Sequence, residues 1–279
     1  MSTITLTIIQ TKLHWEDKAA NLSMLREKIF SIKEKTEIVV LPEMFSTGFS
    51  MKPESLAEAM DGDTVNWMKK IATERKIILT GSVIIKESKP DGKGDHFFNR
   101  LIWMLPNGQF GYYDKRHRFA YAGEDDHYTA GTKRLIASVK GWKVNLQVCY
   151  DLRFPVWARQ RPGVIAGQGT AEQASLEFDM LIYVANWPER RSIAWKTLLQ
   201  ARAIENQCYV VGVNRVGDDG NNIHHSGDSM IVDPLGEILY HKKDEEDIFT
   251  LTFNKDHLQT VREKFPFWRD ADSFTITTD

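Results

Sequence analysis

Stretches rich in β-branched residues alternate along the chain with stretches in which apolar residues recur every three or four positions. The first stretches predict a strand at residues 3–10, a helix near residues 17–35 and a strand at residues 37–41. One face of that helix is apolar, since it carries Leu22, Leu25, Ile29 and Ile32. A second helix near residues 63–76 leads directly into a strand at residues 77–84. This alternation of strands and amphipathic helices is typical of an α/β fold.

The rest of the chain contains more strand patterns than one small sheet can hold. They cover residues 100–105, 135–139, 142–148, 180–185, 209–214, 229–232 and 248–253. Gly141 marks a tight turn between two of them, and Ser192 is predicted to cap a helix that runs to about residue 206. We expect two sheets packed face to face, with helices outside each sheet. A single doubly wound sheet is the alternative.

A single domain over residues 1–279 is predicted, because no repeat, low-complexity tract or linker divides the chain. Residues 160–178 contain three glycines and few large apolar side chains, so we predict an extended loop there. The tail at residues 262–274 carries four aromatic residues among charges: Phe265, Phe267, Trp268 and Phe274. That composition suits docking on another surface, and we interpret residues 254–279 as a C-terminal arm that contacts a partner.

The composition is that of a soluble globular chain, since 42% of the 279 residues are hydrophobic and 27% are charged. The 36 Lys and Arg residues balance 38 Asp and Glu residues, so the net charge is −2 and the basic excess that nucleic acid or anionic lipid requires is absent. No apolar run approaches the roughly 20 residues that span a bilayer. The amino terminus lacks a basic region followed by an apolar stretch. We therefore expect a cytoplasmic protein with no nucleic-acid or membrane partner.

The two cysteines, Cys149 and Cys208, are too few for a disulfide scaffold or a thiolate-based zinc site. Cys149 ends the apolar strand at residues 142–148, and the mixed stretch that follows fits a sharp turn into a helix. Such a turn exposes a nucleophile at the edge of a sheet, where backbone N–H groups and the positive end of a helix favour a thiolate and an oxyanion. A role as a small buried hydrophobic residue fits the position equally well. Cys208 is interpreted as structural.

Two charged residues also stand where chemistry can take place. Glu43 follows an apolar run that Pro42 closes, which puts a carboxylate at the carboxyl end of a strand. Ligands of α/β proteins bind at that edge of the sheet. Lys115 lies in a short basic run flanked by aromatic residues. Taken alone, each residue is more simply a solvated surface group, because Glu and Lys are mostly exposed in proteins.

Three stretches around these residues follow one another along the chain: Leu41-Pro42-Glu43, Tyr113-Asp114-Lys115 and Val148-Cys149-Tyr150-Asp151-Leu152-Arg153-Phe154-Pro155. Together they resemble the three signature blocks of the nitrilase superfamily, the carbon–nitrogen hydrolases with a Glu-Lys-Cys triad. The resemblance covers nearly the whole chain. Two fuller strings are Leu41-Pro42-Glu43-Met44-Phe45-Ser46-Thr47-Gly48-Phe49 and Ala185-Asn186-Trp187-Pro188. They resemble the omega-amidase branch, which hydrolyses the terminal amide of 2-oxoglutaramate and similar ω-amides of dicarboxylic acids.

The resemblance implies a four-layer αββα sandwich, with helices outside two packed sheets, and subunits joined into a homodimer with helices at the interface. It also implies a second acid, and the matching position is Glu124. In the resulting hypothesis, Glu43 accepts the thiol proton of Cys149, whose sulfur attacks the amide carbon. Lys115 and the backbone N–H of Tyr150 hold the oxyanion. Ammonia leaves, water hydrolyses the thioester, and we expect no cofactor and no metal.

The substrate predicted from this resemblance is a small-molecule amide. Trp187, Phe45 and Phe119 are candidate apolar walls for its carbon chain, although each fits a core position at least as well. A dicarboxylic ω-amide also needs a cation for its distal carboxylate, and three arginines qualify: Arg153, Arg190 and Arg191. The loop at residues 160–178 is longer than the omega-amidase branch leads us to expect, so the substrate range stays open.

Two other function classes fit parts of the sequence. A metal-dependent hydrolase would draw its ligands from His224, His225, Asp228, His117 and His127. Adjacent histidines on a strand point to opposite faces, however, no His-Glu-x-x-His helix occurs, and such an enzyme leaves Cys149 without a role. A catalytically silent module that dimerises through its aromatic tail is the second class. Within the superfamily, the alternatives are an amidase acting on deaminated glutathione, a nitrilase and a carbamoylase.

Overall fold

Two β-sheets packed against each other form the centre of the molecule in a computed structural model, which describes residues 2–89, 91–160 and 176–277. The facing sides of the sheets share one apolar core, and the long helices lie on the outer sides. The fold is therefore the predicted αββα sandwich, and the alternative of a single doubly wound sheet is wrong. The predicted loop at residues 160–178 falls mostly outside the described residues.

Within the described residues, the chain forms thirteen strands and seven α-helices. The strands are β1 (Thr3–Gln10), β2 (Ile38–Val40), β3 (Ile78–Ser88), β4 (Asp95–Met104), β5 (Phe110–Asp114), β6 (Ile136–Val139), β7 (Trp142–Val148), β8 (Met180–Ala185), β9 (Tyr209–Asn214), β10 (Val216–Asp218), β11 (His224–Val232), β12 (Ile238–Lys243) and β13 (Asp247–Asn254). The helices are α1 (Lys18–Ser31), α2 (Pro53–Leu56), α3 (Asp63–Arg75), α4 (Glu124–His127), α5 (Pro155–Ala158), α6 (Ser192–Asn206) and α7 (Lys255–Lys264).

Both sheets have parallel strands at their centres. The first sheet has the order β13-β1-β2-β3-β4-β5, in which β1, β2 and β3 are parallel. The second has the order β10-β11-β9-β8-β7-β6, in which β7, β8 and β9 are parallel, and β12 pairs with β11. Parallel strands bring their carboxyl ends to one edge of a sheet, which is where α/β proteins bind ligands. The predicted positions of Glu43 and Cys149 follow β2 and β7 at those edges.

The apolar residues of β1 divide between the two sides of the first sheet. Ile4, Leu6 and Ile8 lie in the core between the sheets, whereas Ile9 lies in a second core on the outer side. Successive side chains of a strand point to opposite faces, so a strand that is apolar on both faces must be covered on both. The second sheet covers one face of β1 and the outer core of α1 and α3 covers the other.

The long helices bury the faces that their apolar spacing predicts. Leu25 and Ile29 of α1 are fully buried in the outer core of the first sheet. On the second sheet, α6 packs so closely on β9 that a side chain at Gly212 would collide with Leu199 and Trp195. No helix in the described ranges has the length and hydropathy needed to cross a membrane.

Most predicted strands coincide with observed strands within a few residues, and β1, β7, β8 and β9 agree at both ends. Three observed strands, β5, β10 and β12, were not predicted. The strand β12 carries His and Lys residues and is mostly exposed at the edge of the second sheet, so it lacks the apolar alternation of a half-buried strand. The strand β5 contains a glycine and passes directly into the basic run, which masks its strand pattern.

The predicted cap at Ser192 is wrong. The helix α6 begins at Ser192 itself, and the residue in the cap position, Arg191, makes no side-chain capping bond. Instead, Ser192 Oγ donates to Oδ2 of Asp228 on β11, at 2.7 Å. This bond fixes the start of α6 to the second sheet, directly beside Arg191.

The C-terminal arm folds back onto its own chain at its start. Leu258 of α7 is fully buried, and Arg262 Nη1 lies 3.1 Å from Oδ1 of Asp179. Beyond α7, the side chain of Phe267 is 64% exposed. The contact of residues 254–279 with a partner therefore stays a prediction.

Candidate active site

Glu43 lies just beyond β2, and its carboxylate joins the two sheets. The carboxylate is fully buried and accepts hydrogen bonds at Oε1 from Asn99 Nδ2 (2.8 Å) and Lys115 Nζ (3.0 Å). Its Oε2 accepts the backbone N–H of Asn186, just beyond β8, at 2.8 Å. The Asn186 side chain in turn donates to the carbonyl of Glu43 at 2.6 Å. These bonds fix the carboxylate between the carboxyl ends of β2 and β8.

Lys115 directly follows β5 and places a buried ammonium beside two carboxylates. Its Nζ is 3.0 Å from Glu43 Oε1 and 2.8 Å from Glu124 Oε2. Burial by itself lowers the pKa of Lys115, but the charges of Glu124 and Glu43 outweigh it and raise the pKa above its ordinary value. The ammonium lies 5.2 Å from the centre of the Phe49 ring. Lys115 is therefore a permanent cation at neutral pH.

Glu124, the predicted second acid, begins the short helix α4 and completes this cluster. Both of its carboxylate oxygens accept hydrogen bonds from Lys115, and Oε2 also accepts the backbone N–H of Phe119 at 2.5 Å. Burial is the largest cause that raises the pKa of Glu124. The charge of Lys115 opposes it, and that of Glu43 adds to it. Two carboxylates thus share one ammonium.

Cys149 lies at the junction between β7 and a 3₁₀ helix, Cys149–Arg153. Its φ angle of 46° is in the left-handed region, which residues other than glycine seldom adopt. Such strained strand-to-helix turns present the side chain of a nucleophile at the edge of a sheet. Glu43 acts on the thiol more strongly than any other charge, and 8% of the residue is exposed. Cys149 is thus the member of the cluster that a ligand can reach.

The surroundings of Cys149 favour a neutral thiol, whereas the turn was expected to favour a thiolate. Burial is the main cause that raises the pKa of Cys149 well above its ordinary value. The charge of Glu43 raises the pKa further, and that of Lys115 lowers it. The turn leads into a 3₁₀ helix and then into α5, which has only four residues, Pro155–Ala158. The dipole of so short a helix is small, so the thiol needs a base in order to react.

A buried carboxylate, Asp151, ties the segment of Lys115 to the turn of Cys149. Its Oδ1 accepts the backbone N–H of His117 at 2.9 Å and approaches His117 Nδ1 at 2.8 Å. Its Oδ2 accepts the hydroxyl of Tyr113 at 2.8 Å and the backbone N–H of Val148 at 3.0 Å. Tyr113 and His117 flank Lys115, and Val148 and Asp151 flank Cys149. Asp151 therefore holds the two reactive groups in register.

A cavity of about 650 Å³ opens above Cys149. Cys149 and Tyr150 form part of its lining, together with the loops that follow β8 and β10. A cavity of that size holds a small organic molecule. Glu43, Lys115 and Glu124 lie beneath this surface and are not themselves exposed. The structure therefore brings the predicted residues together as a buried floor with one accessible thiol.

The aromatic residues predicted as walls divide into two groups. Phe119 and Trp187 line the cavity, and Trp187 Nε1 donates to the carbonyl of Arg191 at 2.8 Å. Phe45 is not among the lining residues, because it is fully buried in the outer core of the first sheet, 5.9 Å from the ring of Trp67. Phe49, four residues later, lines the cavity instead.

All three arginines considered for a distal carboxylate line the same cavity: Arg153, Arg190 and Arg191. Arg153 Cζ lies 5.1 Å from the ring centre of Trp187, and Arg191 Cζ lies 4.9 Å from that of Phe119. Arg153 does not brace Asp151, whose carboxylate takes other donors. The rim of the cavity is therefore electropositive.

Two asparagines that contact Glu43, Asn99 and Asn186, had no predicted role. Asn99 lies within β4, next to Arg100, and Asn186 lies just beyond the apolar strand β8. The pairing of β4 with β5 places Asn99 beside Lys115, whose backbone N–H donates to the Asn99 carbonyl at 3.0 Å. A buried amide needs polar partners. This requirement predicts a polar neighbour for Asn99 and for Asn186.

The residues considered as metal ligands do not converge. On β11, the His224 side chain is 48% exposed and the adjacent His225 is buried, so they point to opposite faces. Asp228 accepts hydrogen bonds from Ser192, Ser226 and His241. Within residues 2–89, 91–160 and 176–277, no group of three or more His, Cys, Asp or Glu side chains is arranged to hold a metal ion.

This arrangement can perform acyl transfer. A neutral thiol next to a carboxylate can lose its proton as it attacks a carbonyl carbon. A fixed ammonium nearby can stabilise the oxyanion that forms, and it acts strongly because the site excludes water.

Comparisons with known proteins point the same way. Residues 5–263 match the model of the carbon-nitrogen hydrolase family. The chain is 40% identical to omega-amidase YafV of Escherichia coli K12 over 280 residues, covering 99% of this chain and all of that protein. It is 29% identical to 2-oxoglutaramate amidase of Bacillus subtilis, covering 95% of this chain and 96% of that one.

Solved structures have the same fold. A CN-hydrolase superfamily protein from Xanthomonas campestris, XC1258, matches with a TM-score of 0.92 and 41% identity, over 99% of this chain and all of that one. That protein carries an arsenic adduct in its active site. Nit3 of Saccharomyces cerevisiae, a nitrilase-superfamily member, matches with a TM-score of 0.78 and 25% identity, over 95% of each chain.

Proposed function

This chain belongs to the carbon-nitrogen hydrolase family, and on that premise we propose that it hydrolyses the terminal amide of a small dicarboxylic ω-amide such as 2-oxoglutaramate and releases ammonia. The observation that carries the proposal is the meeting of a carboxylate, an ammonium and a thiol beneath one cavity, from Glu43, Lys115 and Cys149. The names of the relatives from Escherichia coli and Bacillus subtilis support the substrate class.

The first step makes the carbon–sulfur bond. As the Cys149 sulfur attacks the amide carbon, its proton passes to Glu43, the carboxylate whose charge acts on the thiol most strongly. The raised pKa of Cys149 makes this coupling necessary, since few thiolates exist before the substrate binds. Glu43 suits the role because Asn99 and Asn186 hold its carboxylate in place.

Lys115 and the backbone N–H of Tyr150 stabilise the negative charge that develops on the carbonyl oxygen. Lys115 is already ionised and fixed by two carboxylates, so it needs no rearrangement when the oxyanion forms. Glu124 keeps Lys115 charged and oriented through two hydrogen bonds. We assign Glu124 to this role and the proton transfers to Glu43.

The second half of the reaction returns the enzyme to its starting state. Glu43 gives the thiol proton to the amide nitrogen as the carbon–nitrogen bond breaks, and ammonia leaves a thioester on Cys149. Glu43 then takes a proton from water, whose oxygen attacks the thioester carbon. The carbon–sulfur bond breaks, the sulfur regains a proton from Glu43, and the carboxylic acid leaves.

A panel of substrates tests the proposed specificity. Ammonia release is measured with 2-oxoglutaramate, succinamate, deaminated glutathione, a simple nitrile and an N-carbamoyl amino acid. We expect the highest kcat/KM on 2-oxoglutaramate or succinamate. A clear preference for deaminated glutathione, for the nitrile or for the carbamoyl compound contradicts the proposed substrate class, and no release from any of the five contradicts the proposed activity.

We also propose that the protein is cytoplasmic and acts as a homodimer. Val156 of α5 and Ile204 of α6 are more than half exposed, as is Phe267 in the C-terminal arm. Large apolar side chains exposed on neighbouring elements suit a contact between subunits. Light scattering coupled to gel filtration tests the dimer, and a monomeric mass at micromolar concentration contradicts it.

A further inference from the structure

The rim of the cavity carries more positive charge than the protein itself neutralises. Arg153 and Arg190 are exposed and Arg191 is half-buried, and all three line the cavity. Within the described residues, no carboxylate lies in ion-pair distance of any of them. A cluster of like charges destabilises a folded protein unless it serves a bound counter-charge. The rim is therefore a candidate site for an anion.

The two carboxylates that line the cavity are already engaged elsewhere. Glu16 accepts hydrogen bonds from Ser50 Oγ at 2.7 Å and from Lys52 Nζ at 2.9 Å. Asp219 Oδ1 accepts the backbone N–H groups of Asn221 at 2.8 Å and Ile223 at 3.0 Å. Neither acid is placed to neutralise the arginines, so the positive charge at the rim remains available to a ligand.

Arg191 differs from the other two because the protein fixes its position. Trp187 Nε1 donates to its carbonyl at 2.8 Å, and its guanidinium lies over the Phe119 ring, with Cζ 4.9 Å from the ring centre. The backbone N–H of Phe119 is bonded to Glu124, which belongs to the catalytic floor. Arg153 ends the 3₁₀ helix of Cys149 and has one ring contact, but it is exposed. Arg190 is also exposed, and the described residues show no ring contact for it. Arg191 is thus the one of the three whose side chain is both half-buried and in contact with a ring.

We propose that Arg191 binds the distal carboxylate of the substrate and so selects ω-amides of dicarboxylic acids over neutral amides. The inference rests on the proposed amide hydrolysis and assigns the residue that sets its specificity. The planar guanidinium binds a carboxylate through two parallel hydrogen bonds, and stacking on Phe119 limits the rotamer entropy lost when it does. Arg190 and Arg153 add long-range attraction without fixing the ligand.

The electrostatics around Arg191 agree with this role. Burial is the main cause that lowers the pKa of Arg191, and the positive charges of Arg190 and Arg153 lower the pKa further. A carboxylate bound among the three groups relieves that repulsion. A thiolate at Cys149 acts on Arg191 in the opposite direction and raises its pKa. Arg191 therefore has a second conceivable role, the stabilisation of the nucleophile, which the test must separate from binding of the carboxylate.

Two substrates of the same chain length separate these roles: succinamate, which has a distal carboxylate, and butyramide, which ends in a methyl group. We compare Arg191→Gln with Arg190→Gln and with Arg26→Gln, a charge control on the outer helix α1. For Arg191→Gln, we expect kcat/KM on succinamate to fall roughly 10- to 100-fold, as for the loss of hydrogen bonds to a charged group. The loss is expected in KM rather than kcat, because the carboxylate is bound equally in the ground and transition states.

The result that supports the proposal is a loss on succinamate at least tenfold larger than on butyramide, with a smaller loss for Arg190→Gln and none for Arg26→Gln. An equal loss on both substrates overturns it and assigns Arg191 to the nucleophile or the fold. An equal or larger loss for Arg190→Gln shows that Arg190, and not Arg191, binds the carboxylate. If the unmodified protein hydrolyses butyramide as well as succinamate, the specificity inference fails while amide hydrolysis stands. If it hydrolyses neither, the proposed function fails as well.

Discussion

The floor of the cavity buries its charged groups and pairs them with one another, whereas the rim carries three arginines that have no carboxylate partner among the described residues. Glu43, Lys115 and Glu124 are each less than 2% exposed and lie within 3.0 Å of a partner charge. Arg153 and Arg190 at the rim are exposed and have no carboxylate partner among the described residues. The same cavity thus contains a network that is complete before the substrate binds and a cluster that only a ligand completes.

The difference follows from the cost of burying a charge. An ammonium in the floor must be paired, because an isolated buried charge is unstable and loses or gains a proton instead. Pairing also fixes its position, which is what an oxyanion partner needs. At the rim, water solvates the guanidinium groups, so they are stable without a carboxylate partner. We infer that the floor performs the chemistry on any amide that enters, and that the rim decides which amides enter.

The largest expected effect separates the two cysteines. Cys149→Ala should abolish ammonia release from every substrate, because the nucleophile is lost. Cys208→Ala serves as the matched control, since Cys208 is also a buried free thiol but lies between α6 and β9, away from the cavity. Steady-state assays of ammonia check both variants. Substantial turnover by Cys149→Ala, or its loss in a folded Cys208→Ala, would break the assignment of the nucleophile to the floor.

Lys115→Ala tests the oxyanion partner in the floor. We expect kcat to fall ~10²–10³-fold on charged and neutral amides alike, as for the removal of an oxyanion donor. Lys140→Ala is a control, because Lys140 forms an exposed ion pair with Glu37 far from the cavity. Circular dichroism checks that the variant is folded. A loss of activity on succinamate but not on butyramide would show that Lys115 binds the distal carboxylate instead.

Asp151→Asn tests whether the bracing beneath the floor affects catalysis. An amide has one acceptor oxygen and cannot accept all the donors that now reach the two oxygens of Asp151. We expect an approximately tenfold lower kcat, with little change in KM, and a free energy of unfolding lower by about 2–3 kcal/mol. Asp126→Asn, on the exposed part of α4, is the control. Lower stability with an unchanged kcat would show that Asp151 only stabilises the fold.

A smaller effect concerns His225, a buried residue in the wall of the cavity. Burial is the main cause that lowers the pKa of His225 from 6.5 to about 4, and the charge of Arg215 adds to it. Between these pH values the unfolded chain binds a proton that the folded chain does not, so the stabilisation is complete above pH 6.5 and is lost as the pH falls toward 4. We expect a loss on the order of 2 kcal/mol over that window.

The variant His225→Gln removes this titration, so its stability should fall less steeply with acidity than that of the unmodified protein. Urea unfolding at pH 7.0, 6.0, 5.0 and 4.5 measures the difference between the two curves. Parallel curves would show that His225 is protonated as easily in the folded protein as in the unfolded chain.

The sequence predicts the floor better than the rim, for a physical reason. Glu43 and Cys149 each follow an apolar strand, so the ends of the strands determine where their side chains lie. Lys115 was a candidate from its basic run, but only the resemblance gave it a role, since β5 was not predicted. The rim arginines lie on short 3₁₀ helices, and the orientation of their side chains depends on contacts such as that of Trp187 with Arg191. The sequence alone therefore does not decide which of the three arginines binds the distal carboxylate.

Two expectations about the site depended on packing that a sequence does not display. Phe45 and Phe49 are both aromatic and four residues apart, but only Phe49 reaches the cavity, because Phe45 fills the outer core beside Gly81. The ionisation of Cys149 was expected to follow from a helix, whereas burial and the charge of Glu43 decide it. The fold itself was predicted from alternation, because apolar strands need cover on both faces.

The rate of thioester formation shows whether Glu43 is the base for Cys149. Glu43→Gln and the unmodified protein are mixed with 2-oxoglutaramate, quenched in acid after increasing times and analysed by intact-protein mass spectrometry. We expect an acyl adduct on Cys149 in the unmodified protein and none in Glu43→Gln over the same times. Formation of the adduct in Glu43→Gln at the unmodified rate would show that another group deprotonates the thiol.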